Sequence, residues 1–96
     1  MAEIIWSKHA KDDLEVIYLY ILNDSSYYAT KQVEKIVQRV DILKTFSRYG
    51  RIVPEFDDES IRELIEGQYR IVYHIISSEL ISIVRVHHSA KLLKYE

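Results

Sequence analysis

The chain has no cysteine, only two glycines and one proline in 96 residues. Without thiols, disulfides and thiolate metal sites are excluded, and a disulfide-stapled secreted scaffold with them. With so little glycine and proline, most of the chain should be regular secondary structure joined by short connections. No apolar run approaches the ~20 residues that a membrane-spanning helix needs. The opening stretch MAEIIWSKHAKDDLEV has no basic n-region ahead of an apolar h-region and no small-residue cleavage site. A soluble cytoplasmic protein with no membrane association is therefore expected. A basic excess is missing too. The formal net charge is −2, which argues against coating nucleic acid by bulk electrostatics. The charge is uneven, however: Glu55, Asp57, Asp58 and Glu59 hold four of the fifteen acids, leaving thirteen bases against eleven acids elsewhere. That leaves room for a local basic patch.

What is present suffices for one packed core: 48% of residues are hydrophobic, and 96 residues suit a single domain spanning 1–96. Ala2 to Trp6 reads as a short strand, with Ser7 as a helix N-cap. From Lys8 to about Asn23, Ala10, Leu14, Ile17, Tyr18 and Ile21 recur at three- and four-residue steps, one face of an amphipathic helix. Asp24–Ser25–Ser26 supplies a turn and a second N-cap. A second helix follows from Tyr27 to about Phe46, with Gly50 as a stop. Two helices so closely joined should form an antiparallel hairpin. Gly50 to Ser60 carries the proline and reads as an extended connection ending in an acidic loop, most simply a solvated one. Three β-rich runs complete the pattern, Ile61–Glu66, Gln68–Ser77 and Leu80–His88, before a closing helical turn from Ser89 to Lys94. The order β-α-α-β-β-β predicts an α+β fold, a small antiparallel sheet with the N-terminal helical hairpin on one face.

One stretch within that sheet raises a chemical question. In QYRIVYHII, Tyr69, Ile71, Tyr73 and Ile75 share one face, expected to line the helix-packed core. Arg70, Val72 and His74 then fall on the opposite, open face, where a strand arginine is expected to be solvated. Arg62 sits eight residues before Arg70, across a turn at Glu66–Gly67, and is expected near it on the same face. Guanidinium groups suit phosphate, bound or at a developing dianion. His87 or His88, titrating near ~6.5 when unperturbed, would move protons, and Tyr95 would stack on a base or donate a proton. Arg51, Arg85 and Lys91 complete the basic set as candidate substrate contacts. The plainer reading stands beside this one: Arg70 as half of an ion pair with Glu63 or Glu66, and His74 as a satisfied sheet histidine. No metal site is expected, since adjacent His87 and His88 point to opposite sides of a strand and His9 and His74 lie apart. No phosphate-binding glycine loop, nucleophile elbow or HExxH is present, and no cofactor is implied.

Taken in order, GRIVPEF, IRELIEGQYRIVYHI and ISIVRVHHSAKLL, preceded by the helix start at Trp6–Ser7, resemble the RelE/ParE superfamily of bacterial type II toxins over Trp6 to Leu93. The resemblance implies a toxin held inactive by a cognate antitoxin that wraps it. Members divide: RelE-like toxins cut mRNA in the ribosomal A site, and ParE-like toxins poison DNA gyrase without cutting RNA. By this resemblance Arg70 falls at a phosphate-stabilising arginine, Arg62 near the first of a basic pair, and Tyr95 at a substrate-positioning tyrosine. Glu63 and Leu64 stand where the second basic residue would be, and Ser89 where an arginine follows the last strand, with Lys91 close by. The VHHSAK ending is similar to ParE-type chains. Ribosome-dependent mRNA cleavage ranks first on IREL…YRIVY; gyrase inhibition, or a non-toxic homologue that still binds antitoxin, are the alternatives.

Overall fold

The computed structural model describes residues 1–89. Strand β1 (Glu3–Trp6) leads into helices α1 (Lys8–Leu22) and α2 (Ser26–Arg39), followed by a 3₁₀ segment, Val40–Lys44. Strands β2 (Arg51–Ile52), β3 (Ile61–Glu66), β4 (Tyr69–Ser77) and β5 (Leu80–His88) complete the chain. They form one sheet in the order β1-β5-β4-β3-β2, with β1 parallel to β5 and the other pairs antiparallel. The helical hairpin packs on one face, as the alternation along β4 predicts.

Local signals set the helix ends. The Ser7 hydroxyl accepts from the Ala10 amide at 3.0 Å and Ser25 does the same for Tyr28 at 3.2 Å, each satisfying an orphan donor of a first turn. The second helix stops being α-helical earlier than Phe46. From Val40 it tightens to 3₁₀ geometry, which eclipses residues three apart and so turns both Val40 and Leu43 into the core. Ala10, Ile17, Ile36, Val40 and Leu43 from the helical layer meet Leu64, Ile71, Tyr73, Ile81, Ile83 and Val86 from the sheet. Each fully buried aliphatic side chain here contributes about 1.5–3 kcal/mol relative to exposure.

Three details depart from the sequence reading. The connection after Gly50 contributes a fifth, two-residue strand, because Arg51 and Ile52 pair with Glu63 and Arg62 at the edge of the sheet. Gly50 itself does more than stop a helix. A Cβ there would lie 2.5 Å from the Glu63 carbonyl oxygen and 2.7 Å from the Tyr73 hydroxyl. Tyr73, fully buried, uses that closeness: its hydroxyl accepts from the Gly50 amide at 2.9 Å and donates to the Ser47 carbonyl at 2.8 Å. The turn between β3 and β4 falls at Gly67–Gln68, with Gly67 at φ +59, a left-handed conformation that glycine tolerates. Apart from Ser89, the expected closing turn lies outside the described residues, as do Lys91 and Tyr95. Among the described residues no helix is long and apolar enough to cross a membrane.

Candidate functional site

The face of the sheet away from the helices carries Ile61, Glu63 and Ile65 from β3 and Arg70, Val72 and His74 from β4, as the cross-strand register requires. It is not open over Arg70. The segment between β2 and β3 folds across it as a strap: Val53 is fully buried against Val72, with Phe56, Ile61 and Val84 packed around them. The strap holds itself together locally. Phe56 and Asp57 amides donate to the Val53 carbonyl at 3.1 Å, and Asp58 accepts from the Ser60 amide and hydroxyl at 2.9 and 2.7 Å.

Under the strap, Arg70 is 9% exposed rather than solvated. Its Nε donates to Glu63 Oε1 at 2.5 Å, and Nη1 and Nη2 donate to the two oxygens of Glu55 at 2.6 and 2.9 Å. Glu63 stands diagonally across the strand pair from Arg70, within reach of long side chains. With no side-chain exposure, it spends its second oxygen on Arg51 Nε at 2.5 Å. Two guanidinium groups and two carboxylates thus cancel in one place. The hydrogen bonds from Arg70 hold the Glu55 carboxyl down, from 4.5 to about 2. Glu55 and then Glu63 raise the Arg70 guanidinium in return, against the cost of burial. Arg70 is therefore an ion-pair residue here, the plainer of the two sequence readings, with Glu55 added as a partner.

Arg62 does not join it. Partners across the two-residue turn differ by an odd number, so residues eight apart on β3 and β4 face opposite ways. Arg62 stands opposite Tyr73, on the helix-packed side, whereas Arg70 stands opposite Ile65. The Arg62 guanidinium donates to the carbonyls of Glu59, Gly50 and Arg48 at 2.9, 3.0 and 3.3 Å, pinning both ends of the strap. The expectation of an Arg62–Arg70 pair on one face is corrected by this register.

The last strand divides its residues as expected. His87, 9% exposed, lies in register with Arg70, and His88 with Tyr69. The His88 ring meets the Tyr69 ring edge-on with centroids 5.5 Å apart, and its Nε2 lies 3.2 Å from Gln68 Oε1. Arg85, a candidate substrate contact, is tied to the helical layer. A register shift between Val72 and Tyr73 makes Val84 an extra residue on β5, and such bulges re-aim a side chain. Arg85 reaches α1, forking onto Asp13 at 2.9 and 3.3 Å, while the Val86 amide donates to the same carboxylate at 2.8 Å. Beside this tie runs a groove of about 870 Å³ between α1 and the Gly67 end of the sheet, lined by Val16, Tyr20, Tyr69, Arg85 and His88 among others. Burial, with a smaller contribution from Tyr20, pushes the Tyr69 phenol up. Among the described residues no three His, Asp or Glu side chains come together as a metal site.

Sequence reasoning missed Glu55, treated as part of a solvated loop, and Asp13. The usable signal for a buried pair was parity: Glu63 interrupts an apolar alternation in IRELI as Arg70 does in YRIVY, and both positions fall on one face.

Comparison with known proteins agrees with this architecture. The chain is 27% identical over 92 residues to Toxin RelE2 of Caulobacter vibrioides, covering 96% of this chain and all of that one. Among solved structures it resembles a chain of the chromosomal ParDE toxin-antitoxin system from P. aeruginosa, with TM-score 0.74, 25% identity, and coverage of 92% and 96%. A chain of the E. coli DinJ–YafQ complex shares the fold alone, with TM-score 0.54, 13% identity, and coverage of 98% and 100%. A family model described as the ParE toxin of the parDE type II toxin-antitoxin system matches residues 4–93. The chain thus belongs to the ParE toxin family, within the RelE/ParE superfamily of type II toxins.

Proposed function

We propose that this toxin arrests growth by binding a protein target, DNA gyrase, and that a cognate antitoxin silences it in the cytoplasm. One observation carries the choice between binding and cleavage: the guanidinium of Arg70 is spent on Glu55 and Glu63. Cutting a phosphodiester bond needs donors aimed at the place where negative charge develops, free to meet it there. Here the positive charge of Arg70 is matched before any phosphate arrives, and Arg62 faces the other way. The gyrase-directed activity that the resemblance implies for ParE-like members requires no such donor. For the antitoxin, the groove beside α1, with Val16, Leu19 and Tyr20 more than half exposed along that helix, suits an apolar peptide segment.

Ribosome-dependent mRNA cleavage, ranked first on sequence, becomes the second reading. It is favoured by the likeness to Toxin RelE2 and by His87 standing in register with Arg70. It requires Glu55 to leave Arg70 in the substrate complex.

Inducible expression without antitoxin, read for DNA breaks and for mRNA ends together, separates the two. Binding to gyrase predicts DNA damage with intact mRNA, and inhibited supercoiling by the purified enzyme. Codon-spaced cuts in translated mRNA with undamaged DNA would overturn it. Overexpression that leaves growth unaffected would instead mark a non-toxic homologue.

A further inference from the structure

We infer that the surface running along α2 from Tyr27 to the loop at Phe46–Arg51 binds single-stranded nucleic acid. This goes beyond the growth-arrest reading and does not rest on it. The starting point is segregation of charge. Residues 31–51 hold six Lys and Arg against two Asp and Glu, while the rest of the chain holds seven against thirteen. A weakly acidic protein therefore carries one strongly basic region, and a local field of this kind, not net charge, attracts a polyanion.

Most of this charge is available: Lys31, Lys35 and Arg48 are exposed, and Arg39, half-buried, gives its Nε to the Ile65 carbonyl at 3.3 Å. Lys31, Lys35 and Arg39 succeed one another at four-residue steps along α2, a row about 12 Å long. None of them, nor Arg48 in the following loop, has an ion pair with a carboxylate among the described residues. Lys44 and Arg51 are partly spent, on Asp41 and Glu63. Acids do stand nearby: Glu34 is on α2, and Glu66 lines a shallow notch of about 320 Å³ with Lys35, Gln38, Arg39 and Ile42. They leave the row with an excess of positive charge.

Aromatic rings decide what kind of polyanion fits. Tyr27 lies under Lys31 with the cation 5.7 Å from its centroid, and Tyr49 lies under Arg39 at 5.6 Å. Both rings stay more than half exposed, as does Phe46 in the same loop. A double helix hides its bases and has no use for such rings. Unpaired bases stack on them while the phosphates follow the cations, the combination that single-strand binding surfaces share. An acidic protein segment would be attracted by the cations and would leave the rings unused.

The test is fluorescence anisotropy of the 96-residue chain with a labelled oligothymidylate of about twelve nucleotides, an oligouridylate, a duplex of the same length and a polyglutamate competitor. The surface predicts binding of oligothymidylate, oligouridylate or both, with log K falling against log salt at a slope of about −3 for four cations. Lys35→Glu with Arg48→Glu should weaken binding by about tenfold or more, and Lys35→Gln with Arg48→Gln by less. Phe46→Ala with Tyr49→Ala should weaken single strands and leave duplex binding unchanged. Lys11→Glu, an exposed change on α1, should alter nothing. Melting curves confirm that each variant is folded. Equal or tighter binding of duplex, displacement by polyglutamate at equal charge, or a charge-reversed variant that binds like the parent would each overturn the inference.

Discussion

Two basic regions of this molecule meet opposite fates. On α2 and the loop after it, Lys31, Lys35, Arg39 and Arg48 stand without carboxylate partners among the described residues, and three of the four are well exposed to solvent. On the strap-covered face, Arg70 is buried and clamped between Glu55 and Glu63, and Arg51 shares the second of these. The side chains are of one chemical kind in both places. What differs is whether the fold delivers a carboxylate to within 3 Å. An exposed cation attracts anions over roughly a Debye length; a buried and matched one holds two segments of chain together.

The largest test of that contrast is Glu63→Ala, which strips both Arg70 and Arg51 of a partner and leaves Arg70 buried. Removing one member of a buried pair typically costs about 3–5 kcal/mol, and urea unfolding should register a loss of this size. Replacing both members, Glu63→Leu with Arg70→Leu, should recover most of it, because the charges left behind, on Glu55 and Arg51, are the solvent-accessible ones. Full stability after Glu63→Ala alone would mean that the clamp holds nothing.

Gly50→Ala comes next. Its new Cβ would press on the Glu63 carbonyl and the Tyr73 hydroxyl, so a loss of about 1–3 kcal/mol is expected in thermal melts, as for overpacking. The paired region would then be breakable from its backbone as well as from its charges.

Glu55→Gln should cost less, under about 1 kcal/mol, since the Glu55 side chain is about one-third exposed and solvent screens it. Its signature is in pH. The folded carboxyl lies below its ordinary value of 4.5, at about 2, so its contribution is complete above pH 4.5 and is lost as pH falls toward about 2. The parent and Glu55→Gln should therefore converge in stability through that window and differ by a constant amount above it. A gap that stays constant down to pH 2 would remove Arg70 as the cause.

The smallest effect belongs to the unpaired region. Lys35→Glu with Arg48→Glu should change stability by no more than about 0.5 kcal/mol, because among the described residues neither side chain makes an ion pair and both are exposed. A larger loss would show that these cations carry structural contacts and are less available than their exposure indicates.

Much of the fold was legible in the chain itself. The three- and four-residue recurrence from Ala10 to Ile21 and the alternation of Tyr69, Ile71 and Tyr73 identify a helix and a strand by period alone, and Ser7 and Ser25 mark helix starts by their capping chemistry. The two-residue β2 was not legible, since pairing with β3 rather than any run of its own makes Arg51–Ile52 a strand. The site was legible in its parts and misread in its relations. Arg62 and Arg70 were both visible, and the pairing parity across a two-residue turn places them on opposite faces, because partners there differ by an odd number and these two arginines by eight. Glu55 belongs to a loop whose sequence says only that it is polar.

The sequence by itself determined which residues form helices and strands, which strand face is apolar, and that positive charge collects between residues 31 and 51, because these are properties of neighbours along the chain. Tertiary structure alone decided which cations stay available. The partners that neutralise Arg70 lie seven and fifteen residues away, and the partner of Arg85 lies seventy-two away. An ion pair depends on distance in space, and only the folded register and the closed strap bring those charges within reach of one another.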